Sequence, residues 1–444
     1  MTIKQHILYP RVLIISHNAL SNSQDGNGRT LSAFFGQWDT NSLAQVYLTT
    51  DIPEFTVCKK FFQINDVDIL KRFFLNKKIQ GKVVLNSDLS GMEDYKKVIK
   101  KSKLLNIIRN NMSPFVRFLR DSIWSISGYK TGELIKFIDE FNPQVVFFLS
   151  GNSVFSFALT KWICKTKKIP LIMQTTDDYV TGKFSLDPFF WIQLFRLKCA
   201  YQWAVSYSDC VIAIGDKMAV EYKIRFGGKY FVAMNSISNF NPSKYTSTNQ
   251  NIKFTYAGNL GLNRWKILAL IGESLAELSH EEGINGELAV YALTTPEDKQ
   301  LLALNIPPFC SFKGGLNNDQ LTTVREHSDF LVHVEAFDNA NKYITRLSIS
   351  TKIPEYLASE RCIFAVGPKD VASMQYLMDY DLGVTVISNK KTDIKKALKE
   401  IILNTEMKIK YAKQGVEVAK TRHNAIKTAE SIFQIISSTV EIKH

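Results

Sequence analysis

Short apolar runs recur along this chain, and amphipathic stretches follow most of them. Residues 11–16 (RVLIIS), 46–50, 144–150 (QVVFFLS), 170–175 (PLIMQT), 210–214 (CVIAI) and 230–234 read as strands. Between them, residues 29–38, 153–166 and 186–206 read as helices. The polar stretch 239–250 (NFNPSKYTSTNQ) is the best linker in the sequence. After it the alternation resumes. Strands are expected at 253–257, 287–293, 310–313, 330–334 and 362–366. Helices are expected at 265–279, 296–304 and 318–327, then around Glu355 and through the C-terminus. Strands alternating with helices predict parallel sheets covered on both faces. The expected fold class is α/β with two doubly wound, Rossmann-like domains, whose natural ligand site is a cleft between them.

The length fits two such domains: 444 residues exceed what one hydrophobic core supports. The expected organisation is an N-terminal domain over 1–238, a linker over 239–250 and a second domain over 251–425. A terminal helix over 426–444 returns to the first domain. With 45% hydrophobic and 22% charged residues, the chain reads as globular, and no apolar run reaches the length of a membrane span. The first residues lead straight into a strand without a small-residue cleavage site, so a secretory leader is not expected. The six cysteines are scattered without a C-x-x-C pair, which fits a reducing compartment and no structural zinc.

Charge adds a localised feature. Of the net +13, residues 71–120 carry +10, from thirteen Lys/Arg against three Asp/Glu. That points to a localised anionic partner. Residues 95–110 (YKKVIKKSKLLNIIRN) read as an interfacial helix. Lys96, Lys97, Lys100, Lys101 and Lys103 would meet anionic lipid. Residues 114–124 repeat the mixture with aromatic residues, so the basic helical segment is taken as 71–124. No nucleic-acid recognition motif accompanies the charge.

Candidate chemistry sits where strands give way to helices. In FTYAGNLGLNRW (254–265), Gly258 and Gly261 permit close backbone approach, and Arg264 opens a helix where it can clamp a phosphate. DGNGR (25–29) reads as a second glycine turn, with Gly26 and Gly28 free of side chains. QTTDDY (174–179) places Asp177 and Asp178 at a strand's carboxyl end, facing opposite sides, so at most one serves as a base. HVEAF (333–337) brings Glu335 out of another strand, and His17, His327 and His333 have no zinc spacing. In LSISTKIPEYLA (347–358), Pro354 fits only a first helical turn. Ser350 or Thr351 then caps the helix, Lys352 adds a cation to its amino end, and Glu355 turns toward hydroxyl groups. An anion beside a hydroxylated ring describes a nucleotide sugar.

Taken together, YAGNLGLNR (256–264), HVEAFD (333–338) and STKIPEYLASERCIFAVGP (350–368) resemble the family 4-like, GT-B-fold glycosyltransferases of bacterial surface polysaccharide synthesis. SDCVIAIGDKM (208–218) and TRHNAIKTAESIFQII (421–436) extend the resemblance, which covers most of the chain and is specific in the second domain. It implies a nucleotide-diphosphate sugar donor as co-substrate, no obligatory metal or other cofactor, and retention of anomeric configuration. It also implies a lipid-linked saccharide acceptor and a place on the cytoplasmic face of the plasma membrane. Glu355 matches the second glutamate of the family's E-x7-E pattern, which holds the donor ribose, and Arg264 matches the residue that neutralises the leaving diphosphate. Gly26 and Gly28 match the first-domain glycine loop. Two positions depart: Leu347 stands in place of the first glutamate, and Asn259 where many members have arginine. Glu335 is the candidate substitute for the first, and Lys352 for the second. The alternatives are a nucleotide-sugar 2-epimerase on the same fold, which needs no acceptor, and a non-catalytic sugar or polyanion binder.

Overall fold

The structure is a computed structural model that describes residues 8–21, 26–75, 81–88, 113–182, 185–238, 240 and 251–442. The chain divides into two compact units, Met1–Ala233 with Ala425–His444, and Met234–Asn424. The lysines expected to meet lipid, at 96, 97, 100, 101 and 103, lie outside the described residues, as does nearly all of the 239–250 stretch.

Among the described residues, the first unit is built on eight strands: β1 (Val12–Ser16), β2 (Leu43–Tyr47), β3 (Lys60–Gln63), β4 (Lys82–Val84), β5 (Val145–Leu149), β6 (Leu171–Thr175), β7 (Ser208–Ala213) and β8 (Tyr230–Val232). Their order is β4-β3-β2-β1-β5-β6-β7-β8, parallel throughout except for β4 against β3. Helices α1 (Gly26–Phe35), α2 (Asp66–Leu75), α3 (Pro114–Ser127), α4 (Gly132–Phe141), α5 (Val154–Lys167), α6 (Pro188–Tyr207) and α7 (Asp216–Phe226) connect them. The second strand runs from Leu43 rather than residue 46. Gln45 interrupts the apolar run but is fully buried. Its amide accepts from Leu20 N–H and donates to Ser16 Oγ, which satisfies it inside the sheet. Helix α1 starts before the expected position, so Gly26 and Gly28 occupy its first turn instead of a loop. Gly28 is needed there because a Cβ would lie 2.9 Å from the Ser21 carbonyl oxygen. The missing side chain makes room for backbone and not for a ligand.

The second unit has six parallel strands: β9 (Ile252–Ala257), β10 (Gly286–Tyr291), β11 (Cys310–Phe312), β12 (Phe330–Val334), β13 (Cys362–Val366) and β14 (Gly383–Val386), in the order β11-β10-β9-β12-β13-β14. Its helices are α8 (Arg264–Glu282), α9 (Asp298–Leu304), α10 (Asn318–Glu326), α11 (Asn339–Thr345), α12 (Ile353–Ala358), α13 (Ala372–Asp379), α14 (Lys391–Leu403) and α15 (Thr405–Arg422). Phe254, Phe330 and Phe364 from three adjacent strands meet in its core, the first two stacked at 4.6 Å. The last helix, α16 (Ala425–Glu441), belongs to the first unit. Its Ile432, Ile436 and Val440 join the core formed by Val12, Ile14 and Phe35.

The order in which strands are added reverses once in each sheet, between β1 and β5 in the first unit and between β9 and β12 in the second. Open parallel sheets bind ligands at the carboxyl ends of the strands beside such a reversal. Among the described residues, no helix is long and apolar enough to cross a membrane. Cys58, Cys164, Cys210, Cys310 and Cys362 are buried free thiols, and Cys199 is exposed.

Candidate active site

The reversal in the second unit gathers four ionisable side chains. Strand β9 ends at Ala257, and the turn Gly258–Asn263 leads into α8 with Arg264 as its first residue. The turn is tightly specified. Asn259 Oδ1 accepts from Gly261 N–H at 2.6 Å, and the Asn259 carbonyl accepts from Tyr256 Oη at 2.6 Å. Leu262 and Asn263 both adopt left-handed backbone (φ 56° and 58°), a conformation L-residues hold only when their surroundings impose it. Asn263 is tied to Asp338 Oδ2 at 3.0 Å, which locks the turn to the loop after β12. Asn259 therefore shapes the loop instead of supplying charge.

Strand β12 presents Phe330, Val332 and Val334 to the core, so His333 and Glu335 share the other face. Glu335 is 2% exposed and accepts from Arg264 Nη2 at 3.0 Å. Burial pushes its carboxyl above the usual range, although Arg264 and Lys352 both favour the charge. Burial works against the Arg264 charge too, but Glu335 and Tyr256 together raise that pKa. His333 Nε2 lies 3.5 Å from Glu335 Oε1. Burial, with Lys352 and Arg264 nearby, lowers its pKa to about 3, so the imidazole is neutral at physiological pH.

Lys352 completes the group from the loop before α12. Its ammonium lies 4.5 Å above the Tyr256 ring. Among the described residues it forms no ion pair. Burial and the Arg264 charge lower its pKa to about 7, against weaker opposing pulls from Glu335 and Glu355. Gly258 is indispensable to this placement, because a Cβ there would lie 1.6 Å from Lys352 Nζ. A lysine held in protein at such electrostatic cost is a candidate for chemistry with an anion.

The α12 segment differs from its expected form. The helix has six residues, its N-cap is Lys352, and no side chain caps it. Ser350 N–H is taken by Ser373 Oγ at 3.0 Å, and Thr351 is exposed. One and a half turns carry little dipole, so the positive charge here comes chiefly from Lys352. Glu355 accepts from Arg325 Nη1 at 2.5 Å and lines a cleft of about 290 Å³ with Arg325, Thr322 and Ser359. Leu347, at the position of the missing glutamate, is fully buried.

The first-unit candidates lie beyond the carboxyl end of β6. Asp178 accepts from Tyr222 Oη at 2.7 Å and from Thr181 N–H at 3.1 Å, so it holds its loop together. Asp177 accepts from Tyr179 Oη at 3.0 Å. Among the described residues, no three of His, Cys, Asp and Glu converge as metal ligands would.

Sequence reading missed Tyr256, His333 as a neighbour of Glu335, and Arg325. The alternation along β12 carries a signal for His333, since it shares a face with Glu335. Nothing local marks Arg325, thirty positions from Glu355.

No protein-family model matches this chain, and no curated protein matches it by sequence. Solved structures match it over nearly its whole length. Sucrose-phosphate synthase from Thermosynechococcus elongatus is 11% identical with a TM-score of 0.59, covering 97% of this chain and 98% of that one. Anabaena Alr3699/HepE, solved in complex with UDP, is 13% identical with a TM-score of 0.60, covering 96% and 100%. The α,α-trehalose-6-phosphate synthase from Burkholderia multivorans is 8% identical with a TM-score of 0.59, covering 98% of each chain. At these identities the likeness is one of fold: this chain has the α/β fold of GT-B glycosyltransferases, built from two Rossmann-like parallel-sheet domains.

Proposed function

We propose that this protein is a glycosyltransferase that moves a hexosyl group from a nucleoside-diphosphate sugar to a saccharide acceptor. The observation that carries this reading is the Arg264–Glu335–Lys352 cluster at the strand reversal of the second unit. Breaking the anomeric C–O bond leaves growing negative charge on the diphosphate. Arg264, oriented by Glu335, and Lys352, held over Tyr256, are preorganised donors for that charge. In this mechanism they take the part that a divalent cation would otherwise play. Glu355, steadied by Arg325, accepts the ribose hydroxyls. The same fold accommodates UDP in Anabaena HepE, which makes UDP the first nucleotide to try.

We extend the proposal to transfer with retention, a lipid-linked acceptor in bacterial cell-surface polysaccharide synthesis, and attachment to the inner face of the membrane through the basic segment. The deciding experiment incubates the protein with nucleotide sugars and a lipid-linked acceptor fraction, with and without EDTA, and measures nucleoside diphosphate release. Acceptor-dependent release that survives EDTA and is lost in Arg264→Ala supports the proposal. Conversion of donor without acceptor indicates an epimerase, and no turnover of any donor indicates a binder.

A further inference from the structure

The cluster at the strand reversal of the second unit sets two cations, Arg264 and Lys352, against Glu335. Glu335 gives Oε2 to Arg264 Nη2 at 3.0 Å, and its other oxygen lies 3.5 Å from His333 Nε2. Glu355, the other carboxylate that acts on Lys352, is taken by Arg325. Lys352 is therefore left over. Among the described residues no carboxylate pairs with it, and its ammonium rests on the Tyr256 ring, in the gap that Gly258 leaves.

Other lysines are placed differently. Lys391 is paired with Glu277 and Glu273, Lys395 with Glu281 and Glu277, and Lys410 with Asp381, and these carboxylates raise their pKa values. At Lys352 the shift runs the other way, to about 7, because burial and Arg264 both oppose the charge. At pH ~8 most of Lys352 is the free amine, against less than ~1% of an ordinary lysine. Free lysine amines are nucleophiles and acceptors of acyl groups. The residue is half-buried, so its amine is not sealed off. Beside it Arg264, the first residue of α8, offers the planar donor set that suits phosphate. An electrophile that carries its own phosphate fits both groups, and an acyl phosphate is such a reagent.

We infer that Lys352 is a modification site, which takes an acyl group from an acyl phosphate whose phosphate is held by Arg264. Nζ attacks the carbonyl carbon and the amide C–N bond forms. The C–O bond to phosphate breaks, and phosphate leaves with the electron pair and takes the proton that Nζ gives up. The acylated lysine has lost its charge and its cation–π contact with Tyr256. One cation then stands against Glu335, and the pull of the cluster on an anion falls. This last consequence rests on the proposed function, in which Lys352 meets the diphosphate. The acylation itself does not.

The test treats the full chain with acetyl phosphate and follows each lysine by mass spectrometry of proteolytic peptides. At about pH 8, Lys352 should be acetylated at least about tenfold faster than Lys391 and Lys410. Its rate should level off above pH ~8, while theirs keep rising about tenfold per pH unit. Acetic anhydride, which carries no phosphate, isolates the part played by Arg264. In Arg264→Ala, the ratio of the acetyl phosphate rate to the anhydride rate at Lys352 should fall at least about tenfold. UDP should protect Lys352, and the acetylated protein should bind UDP at least about tenfold more weakly by calorimetry. Acetylation of Lys352 no faster than that of Lys391 overturns the inference. So does an unchanged rate ratio in Arg264→Ala, which would leave the phosphate without its holder. Selective, Arg264-dependent acetylation in a protein that binds no UDP, or binds it equally well once acetylated, supports the inference and counts against the proposed function alone.

Discussion

Protonation of Lys352 should be linked to nucleotide binding. In the free protein its pKa is lowered to about 7 by burial and by Arg264. A diphosphate charge about 4 Å away contributes roughly 4 kcal/mol at the effective dielectric of a partly buried site. That equals about three pKa units and returns the bound lysine close to pH 10. Above about pH 7, binding must therefore take up a proton. The dissociation constant should weaken about fiftyfold between pH 7 and pH 9. The neighbouring groups do not mask this: His333 has a pKa of about 3, Arg264 stays charged, and the phosphate's own second ionisation falls near pH ~6. Titration calorimetry of UDP at about pH 8.5, in two buffers of different ionisation enthalpy, reads the proton directly. The expected uptake approaches one proton per UDP in wild type and none in Lys352→Met. An uptake near zero in wild type, or the same uptake in both proteins, would refute the reasoning.

The same lysine bears on stability. A lysine whose folded pKa lies below its unfolded value destabilises the fold fully below pH ~7, and the penalty is relieved as pH rises toward its ordinary value. Lys352→Met should therefore raise stability at about pH 6.5 by on the order of 2–4 kcal/mol, checked by urea denaturation, while it lowers activity. Gly258→Ala puts a Cβ where the Lys352 ammonium lies, and displacing that group should lower turnover about a hundredfold, checked by steady-state kinetics. Glu355→Gln should weaken UDP binding by about 1.5–3 kcal/mol with the fold intact; an unchanged dissociation constant would remove Glu355 from the ribose site. Arg264→Ala should reduce turnover about 10²–10³-fold and affect donor affinity less, because leaving-group charge is greatest in the transition state.

The second unit was more legible in the sequence than the first, for physical reasons. Strands β12 and β13 have the expected bounds because each is a fully buried five-residue run with polar or glycine neighbours on both sides. Strands β3, β4 and β14 are short and lie at or near sheet edges, where apolar pattern is thin, and they gave no comparable signal. The start of α1 was misread because glycines that admit a neighbouring backbone look the same in sequence as glycines that admit a ligand. In the site, Arg264 was visible from its place at a strand-to-helix junction and Lys352 from its place at the amino end of a helix. Their environment was not. The Arg264–Glu335 bond joins residues 71 positions apart, and the lowered Lys352 pKa depends on burial produced by packing.

The central claim is that the second unit binds a nucleoside diphosphate through Arg264 and Lys352. The most direct test is a thermal-shift comparison of wild type and Arg264→Ala across nucleoside diphosphates, their sugars and the corresponding nucleosides. A ligand that binds only the folded state raises the melting temperature with its concentration. The account predicts that one nucleoside-diphosphate series stabilises wild type, that its nucleoside does not, and that Arg264→Ala loses most of the shift. Absence of any shift, or an equal shift in both proteins, would contradict it.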